Sequence, residues 1–141
     1  MAARQATAEW QGTLMEGSGH MRSAAGAFDG AYDFRSRFGD GAGTNPEELI
    51  GAAHAGCFSM ALSLMLGEAG LKPEQIDTHA AITLEKSADG FEITASHLTV
   101  VARIPGADQA KFEEIANKAK AGCPVSKVLN ANITMDARLE G

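Results

Sequence analysis

With 141 residues, 45% of them apolar and 21% charged, the chain has the length of a single domain, 1–141, and enough apolar side chain to build a core. Its net charge is -6 and it carries no cluster of Lys and Arg, which argues against nucleic acid, because phosphates need grouped cations. The first ten residues hold no apolar run of signal-peptide length, so a cytoplasmic location is expected.

Ala6 to Thr13 alternates small or apolar residues with polar ones and reads as a strand. Glu16 to Gly19 is a turn, and His20 to Ala25 is expected to pair back as a second strand. Gly26 to Gly30 reads as loop. Tyr32, Phe34, Ser36 and Phe38 alternate with Asp33, Arg35 and Arg37, which predicts a third strand with both arginines on one face.

After a glycine-rich loop, Asn45 is placed to cap a long helix, Pro46 fits its first position and Glu48 completes a capping box. Gly70 is the expected stop. No residue from Leu49 to Gly67 carries a fixed charge, a span that approaches membrane length. Its many Gly, Ala and Ser residues and its acidic flanks, Glu47, Glu48 and Glu68, predict a helix buried in protein and no membrane span. It is apolar nearly all round and needs cover on most sides. Gly51, Ala52, Ala55, Gly56, Ser59 and Ser63 leave room for a second backbone, so a homodimer with paired central helices is expected.

The second half begins with a hairpin, Ile76 to Lys86 and Phe91 to Ile104 about Asp89-Gly90. A shift in apolar phase predicts a bulge near 95–97. Asp108 caps a helix with Phe112, Ile115, Ala116 and Ala119 at helical spacing, and Gly122 stops it. Cys123-Pro124 opens a short turn or helix to Leu129. Ile133, Met135, Ala137 and Leu139 alternate as a last strand. The predicted fold is α+β, in the order β-β-β-α-β-β-α-β.

The two cysteines are the chemical signal. Cys57 lies in the uncharged helical run and Cys123 in Ala121-Gly122-Cys123-Pro124-Val125-Ser126. In a cytoplasmic protein such a pair points to redox or catalytic chemistry more than to a permanent cross-link.

The stretch from Gly43 to Phe58, Gly-Thr-Asn-Pro-Glu-Glu-Leu-Ile-Gly-Ala-Ala-His-Ala-Gly-Cys-Phe, strongly resembles the signature of the OsmC/Ohr family of thiol peroxidases. Ala119 to Ser126 resembles its second-cysteine motif, and Trp10, Ser36-Arg37-Phe38 and Asp89-Gly90-Phe91 fit in place and order. The versions around His54 and Pro124-Val125-Ser126 are similar to the osmotically inducible branch. The resemblance implies an intertwined homodimer with the long helices at its centre, active in stress response. It implies reduction of organic hydroperoxides, and more weakly of hydrogen peroxide, without metal or haem. It implies Cys57 as the peroxidatic cysteine, Cys123 as the resolving one, and Arg37 and Glu47 as thiolate-activating partners. The reductant it implies is a dithiol, on a lipoylated protein or of thioredoxin type.

The residues set their own conditions on that chemistry. Burial of Cys57 raises its pKa, and three helical turns put it beyond the helix dipole. A fixed cation is needed, and Arg37 or Arg35 is at hand; the resemblance selects Arg37. Glu47 is the carboxylate expected to hold it. Glu47 and Cys57 are ten residues apart, about 15 Å of helical rise, so either the helix start bends, or the loop folds over, or one residue comes from the partner subunit; a site assembled at the dimer interface is the favoured expectation. Cys123, before Pro124 at a helix start, is placed to favour its thiolate. Phe58, Met60, Leu64 and Phe28 are expected to suit an alkyl hydroperoxide. Two alternatives stand beside this reading. One is a redox-sensing stress protein without turnover. The other is a Cys–His hydrolase with His54, one turn before Cys57, as base. A metal site using Cys57, His54, His79, His97 or Cys123 matches no standard ligand spacing.

Overall fold

A computed structural model describes residues 3–140. Strands β1 (Ala6–Gln11), β2 (Ser18–Ser23) and β3 (Asp29–Tyr32) form an antiparallel sheet in that order. Gly19 pairs with Trp10 on one side and Tyr32 on the other. A Cβ at Gly19 would lie 2.9 Å from the indole and 3.0 Å from the phenol ring. The missing side chain lets the two rings meet, with centroids 5.3 Å apart.

The third strand differs from the sequence expectation. It ends at Tyr32, and Phe34–Phe38 is a short helix, α1. Asp33 explains the change. Its carboxylate accepts from the Ser36 N–H at 2.8 Å, while its own N–H donates to Ser36 Oγ at 2.9 Å. This capping box closes a helical turn and overrides the two-residue alternation. Arg35 and Arg37 therefore leave the helix on roughly opposite sides, and do not share a face. Phe34 and Phe38, one turn apart, stack at 5.0 Å.

Helix α2 runs Pro46–Glu68. Asn45 caps it, its Oδ1 accepting from the Glu48 N–H at 2.8 Å. The Glu48 carboxylate closes back on the Asn45 side-chain amide, not on its backbone. At the far end Gly70 adopts φ +81°, the Gly70 N–H reaches Gly67 O and the Leu71 N–H reaches Leu66 O. That pair of bonds is a Schellman stop.

The second sheet is β4 (Gln75–Ser87), β5 (Gly90–Arg103) and β6 (Asn132–Leu139), with β4 antiparallel and β6 parallel to β5. The parallel pair requires a crossover, supplied by α3 (Gln109–Gly122) and α4 (Pro124–Val128). The bulge falls at Thr94, since Thr83 faces Ala95 and Leu84 faces Ile93. That is one residue before the predicted window. The hairpin loop is Ala88-Asp89, and Gly90, at φ +115°, already pairs with Ser87.

The core joins Phe58, Leu62 and Leu66 of α2 to Leu98, Val100 and Ala102 of β5 and to Phe112, Ile115, Ala116 and Ala119 of α3. Each large side chain buried there contributes roughly 1.5–3 kcal/mol. A Cβ at Gly51 would meet Ala80 O and Ile82 Cγ1 at 3.4 Å, so the glycine brings α2 close to β4. Within the chain, α2 buries only the stripe Glu47, Gly51, His54, Phe58, Leu62 and Leu66. One chain alone does not give the helix the cover on most sides that its sequence calls for. Met60 and Leu64 are 77% and 63% exposed, and Ala52, Ala53, Gly56, Ser63 and Gly67 are exposed with them. By length and composition α2 passes as a membrane span; its buried stripe places it in a protein core.

The chain divides into two compact units, Met1–Leu49 and Ile50–Gly141. The first holds the β1–β3 sheet and α1; the second holds the β4–β6 sheet, α3, α4 and most of α2.

Candidate active site

Cys57 is a half-buried residue of α2, and Cys123 is the fully buried residue that ends α3 and starts α4. Gly122 and Pro124 on either side break one helix and start the next. Both thiols are free, and each acts on the other's titration. Burial pushes the Cys57 thiol up, its hydrogen bond to Cys123 pushes it further, and the Val125 backbone opposes only in part. Burial acts on Cys123 in the same upward direction, but the hydrogen bond from Cys57, the Ser126 N–H and hydroxyl and the Val125 backbone outweigh it. Cys123 ends below the ordinary thiol value. Of the two sulfurs, Cys123 is therefore the one whose surroundings favour the thiolate. No cation is among the influences on Cys57.

A second pair forms in the N-terminal unit. Arg37 Nε donates to Glu47 Oε1 at 3.0 Å and Arg37 Nη2 to Glu47 Oε2 at 3.1 Å. Glu47 is buried in the first turn of α2, while Arg37 keeps 36% of its side chain exposed. The guanidinium also lies 5.4 Å from the Phe38 ring. Beside it opens a pocket of about 260 Å³ lined by Trp10, Leu14, Tyr32, Phe34 and Phe38. The loop that sets this pair returns along β3: the Thr44 N–H reaches Ala31 O at 2.9 Å. At Gly43, φ is +114° and a Cβ would fall 2.6 Å from Ala31 O, so no other residue fits without moving the loop. Arg35 is exposed.

His54 is wholly buried, and burial lowers its pKa. Its Nδ1 meets Ser96 Oγ and its Nε2 meets Ser126 Oγ, each at 2.7 Å. Both nitrogens are taken, which leaves none for Cys57 and removes the geometry a Cys–His hydrolase needs. Ser96 is a residue that sequence reasoning missed. It sits in a strand where nothing distinguishes it from other small residues. Ser126 carried a signal only as part of the second-cysteine motif.

Two expectations about apolar neighbours change. Phe58 is a core residue with no exposed surface, and Phe28 lines a separate shallow pocket with Ala6, Ala8, Met21 and Leu49. Met60 and Leu64 face outward. Among the described residues, no group of three or more His, Cys, Asp or Glu is placed to hold a metal ion.

Known proteins share the sequence and the fold of this chain. Residues 39–138 match the family model of the OsmC-like proteins. The chain is 51% identical over 138 residues to Peroxiredoxin OsmC of Escherichia coli (strain K12), covering 97% of this chain and 96% of that one. It is 31% identical over 125 residues to the organic hydroperoxide resistance protein OhrB of Bacillus subtilis (strain 168), covering 87% and 88%. The crystal structure of Bacillus subtilis OhrB superposes with a TM-score of 0.69 at 26% identity, over 96% of this chain and 98% of that one.

Proposed function

This chain belongs to the OsmC-like protein family, and on that premise we propose that it is a cysteine-based peroxidase that reduces organic hydroperoxides, and more weakly hydrogen peroxide, to alcohol or water. The observation that carries the reading is the pair of free thiols at Cys57 and Cys123, each of which acts on the other's titration. The names of the relatives support a peroxidase acting in antioxidant defence.

The cycle has three balanced steps. Cys57 thiolate attacks one peroxide oxygen; the O–O bond breaks, the alkoxide leaves and takes a proton, and Cys57 becomes a sulfenic acid. Cys123 thiolate then attacks that sulfur, and hydroxide leaves as water once protonated. An external dithiol, on a lipoylated protein or of thioredoxin type, reduces the disulfide by exchange and is itself oxidised.

Cys57 needs a cation for the first step, and among the described residues none is a cause of its shift. Ten residues of α2 separate Glu47, which holds Arg37, from Cys57. We assign activation to the partner subunit's Arg37 in a homodimer whose α2 helices pack through the exposed Met60 and Leu64 face. That arrangement would bring the aromatic pocket beside Arg37 to Cys57, where it suits an alkyl group better than hydrogen peroxide.

The test is peroxide consumption with dihydrolipoamide or dithiothreitol, comparing cumene hydroperoxide with hydrogen peroxide. Turnover favouring the organic peroxide is expected. A single stoichiometric oxidation without turnover would overturn the peroxidase and leave the redox sensor.

A further inference from the structure

The buried His54 joins no reacting atom, yet it is the centre of a chain of polar groups that ends on a cysteine. Ser96 of β5 meets one ring nitrogen and Ser126 of α4 meets the other. Ser126 lies three residues after Cys123, the residue that starts α4, and its hydroxyl is among the groups that favour the Cys123 thiolate. All four residues are buried. A neutral imidazole has one N–H and one acceptor nitrogen, so the direction of one bond fixes the others. Ser126 has a single hydroxyl proton. It can reach Cys123 only if His54 Nε2–H donates to Ser126 Oγ. His54 Nδ1 is then an acceptor, and the Ser96 hydroxyl must donate to it. Every hydrogen bond in the chain then points the same way, toward the sulfur. The opposite tautomer turns the Ser126 proton to His54 and leaves Cys123 without it.

We propose that His54 is a positioning residue for Cys123: held between Ser96 and Ser126, it fixes the Ser126 hydroxyl as a donor to the Cys123 sulfur and so makes Cys123 the sulfur that leaves when an external dithiol opens the Cys57–Cys123 disulfide. The proposal rests on the disulfide cycle given above. One thiolate of the dithiol attacks Cys57 Sγ, the S–S bond breaks, and its electron pair goes to Cys123 Sγ, where the Ser126 hydroxyl meets the charge. The second thiol of the dithiol then attacks the mixed disulfide, frees Cys57 and closes the oxidised dithiol. A disulfide is opened faster when the departing sulfur is the better-stabilised thiolate. Access agrees, since Cys57 is half-buried and Cys123 is fully buried. Cys57 is the one titratable group acting on Cys123, and none acts on His54, among the described residues.

Three measurements decide it. In a Cys57→Ser background, the far-ultraviolet thiolate absorbance of Cys123 is followed against pH. Adding Ser126→Ala is expected to move the midpoint up by about one pH unit or more, the size of a hydrogen bond to a charged group. Adding Ser126→Thr, which keeps the hydroxyl, is expected to restore it. An unmoved midpoint in Ser126→Ala overturns the relay. Nitrogen NMR of His54 in the unmodified protein needs no variant to fold. The Nε2–H tautomer is expected, and the Nδ1–H tautomer overturns the proposal. Finally, the oxidised protein is treated with one equivalent of a monothiol, 2-mercaptoethanol, and the adduct is mapped. An adduct on Cys57 supports the proposal and one on Cys123 overturns the leaving-group assignment. If peroxide forms no Cys57–Cys123 disulfide, the peroxidase cycle and the leaving-group assignment fall together. The titration and the tautomer still decide the relay.

Discussion

Arg37 and Glu47 meet through two parallel hydrogen bonds, Nε to Oε1 at 3.0 Å and Nη2 to Oε2 at 3.1 Å. The fork uses the planar geometry of both groups and fixes the direction in which the remaining guanidinium N–H groups point. The glycine-rich loop between α1 and α2 lets the two approach. What the pair gives is orientation more than stability, because Arg37 is 36% exposed and water screens its charge.

Arg37→Lys separates these contributions. Lysine keeps the charge and loses the fork, so the rate of Cys57 oxidation by cumene hydroperoxide is expected to fall at least about tenfold. The melting temperature should move by only a few degrees, since such a pair contributes on the order of 1 kcal/mol or less. Rapid-mixing kinetics checks the first and calorimetry the second. A rate equal to that of the unaltered protein would remove Arg37 from the chemistry.

Much of this was legible in the residues, and the failures have physical causes. The long helix, its Asn45 cap and its Gly70 stop could be read because each is a local signal. The α3 face could be read because Phe112, Ile115, Ala116 and Ala119 follow one period, and all four are buried. Phe34 to Phe38 misled because alternating aromatic and charged residues satisfy a strand, whereas Asp33 and Ser36, three apart, satisfy a helix cap. Short-range hydrogen bonds decided between them. The motifs nominated the two cysteines, but not which of them has surroundings that favour the thiolate. That depends on Val125 and Ser126 in three dimensions, and on Ser96, which lies 42 residues from His54 in sequence.

Cys123→Ser tests the division of labour between the two sulfurs. Peroxide is expected to oxidise Cys57 once and stop at a sulfenic acid that a dimedone probe traps, with no intramolecular disulfide in the mass spectrum. The Cys57 titration should also move down toward the ordinary thiol value, because both its hydrogen bond to Cys123 and the charge on that sulfur push it up. It should stay raised in part, since burial, the largest cause, persists. Disulfide formation in this variant would mean that another chain supplies the resolving thiol.

Leu64→Glu tests the homodimer. Leu64 and Met60 stand one turn apart on the open face of α2, 63% and 77% exposed, and a carboxylate there costs little in a lone chain. In a dimer closed through this face the same charge is buried without a partner, which costs several kcal/mol. Sedimentation equilibrium is expected to show the unaltered protein as a dimer and Leu64→Glu as a monomer. Peroxide turnover should fall at least about tenfold with it, because Cys57 loses the partner subunit's Arg37. A variant that stays monomeric and fully active would sink the shared site.

The pH dependence of stability reports on His54. Burial lowers its pKa in the folded chain below the ordinary 6.5. Unfolded, it takes up a proton near 6.5; folded, it resists. Below 6.5 the unfolded chain therefore binds more protons, and stability falls as the pH falls, by up to about 1.4 kcal/mol per pH unit. The loss levels off once the pH passes below the folded-state value, and above 6.5 the effect is absent. His54→Gln keeps an acceptor and a donor for Ser96 and Ser126 but has no proton to gain. The other three histidines, His20, His79 and His97, are common to both proteins, so the difference between the two stability curves isolates His54. Urea midpoints measured from neutral to mildly acidic pH should converge as the pH falls, because only the unaltered protein loses stability through this residue. Parallel curves would mean that His54 is protonated in the folded chain as readily as in the unfolded one, and its place between two serines would need a different account.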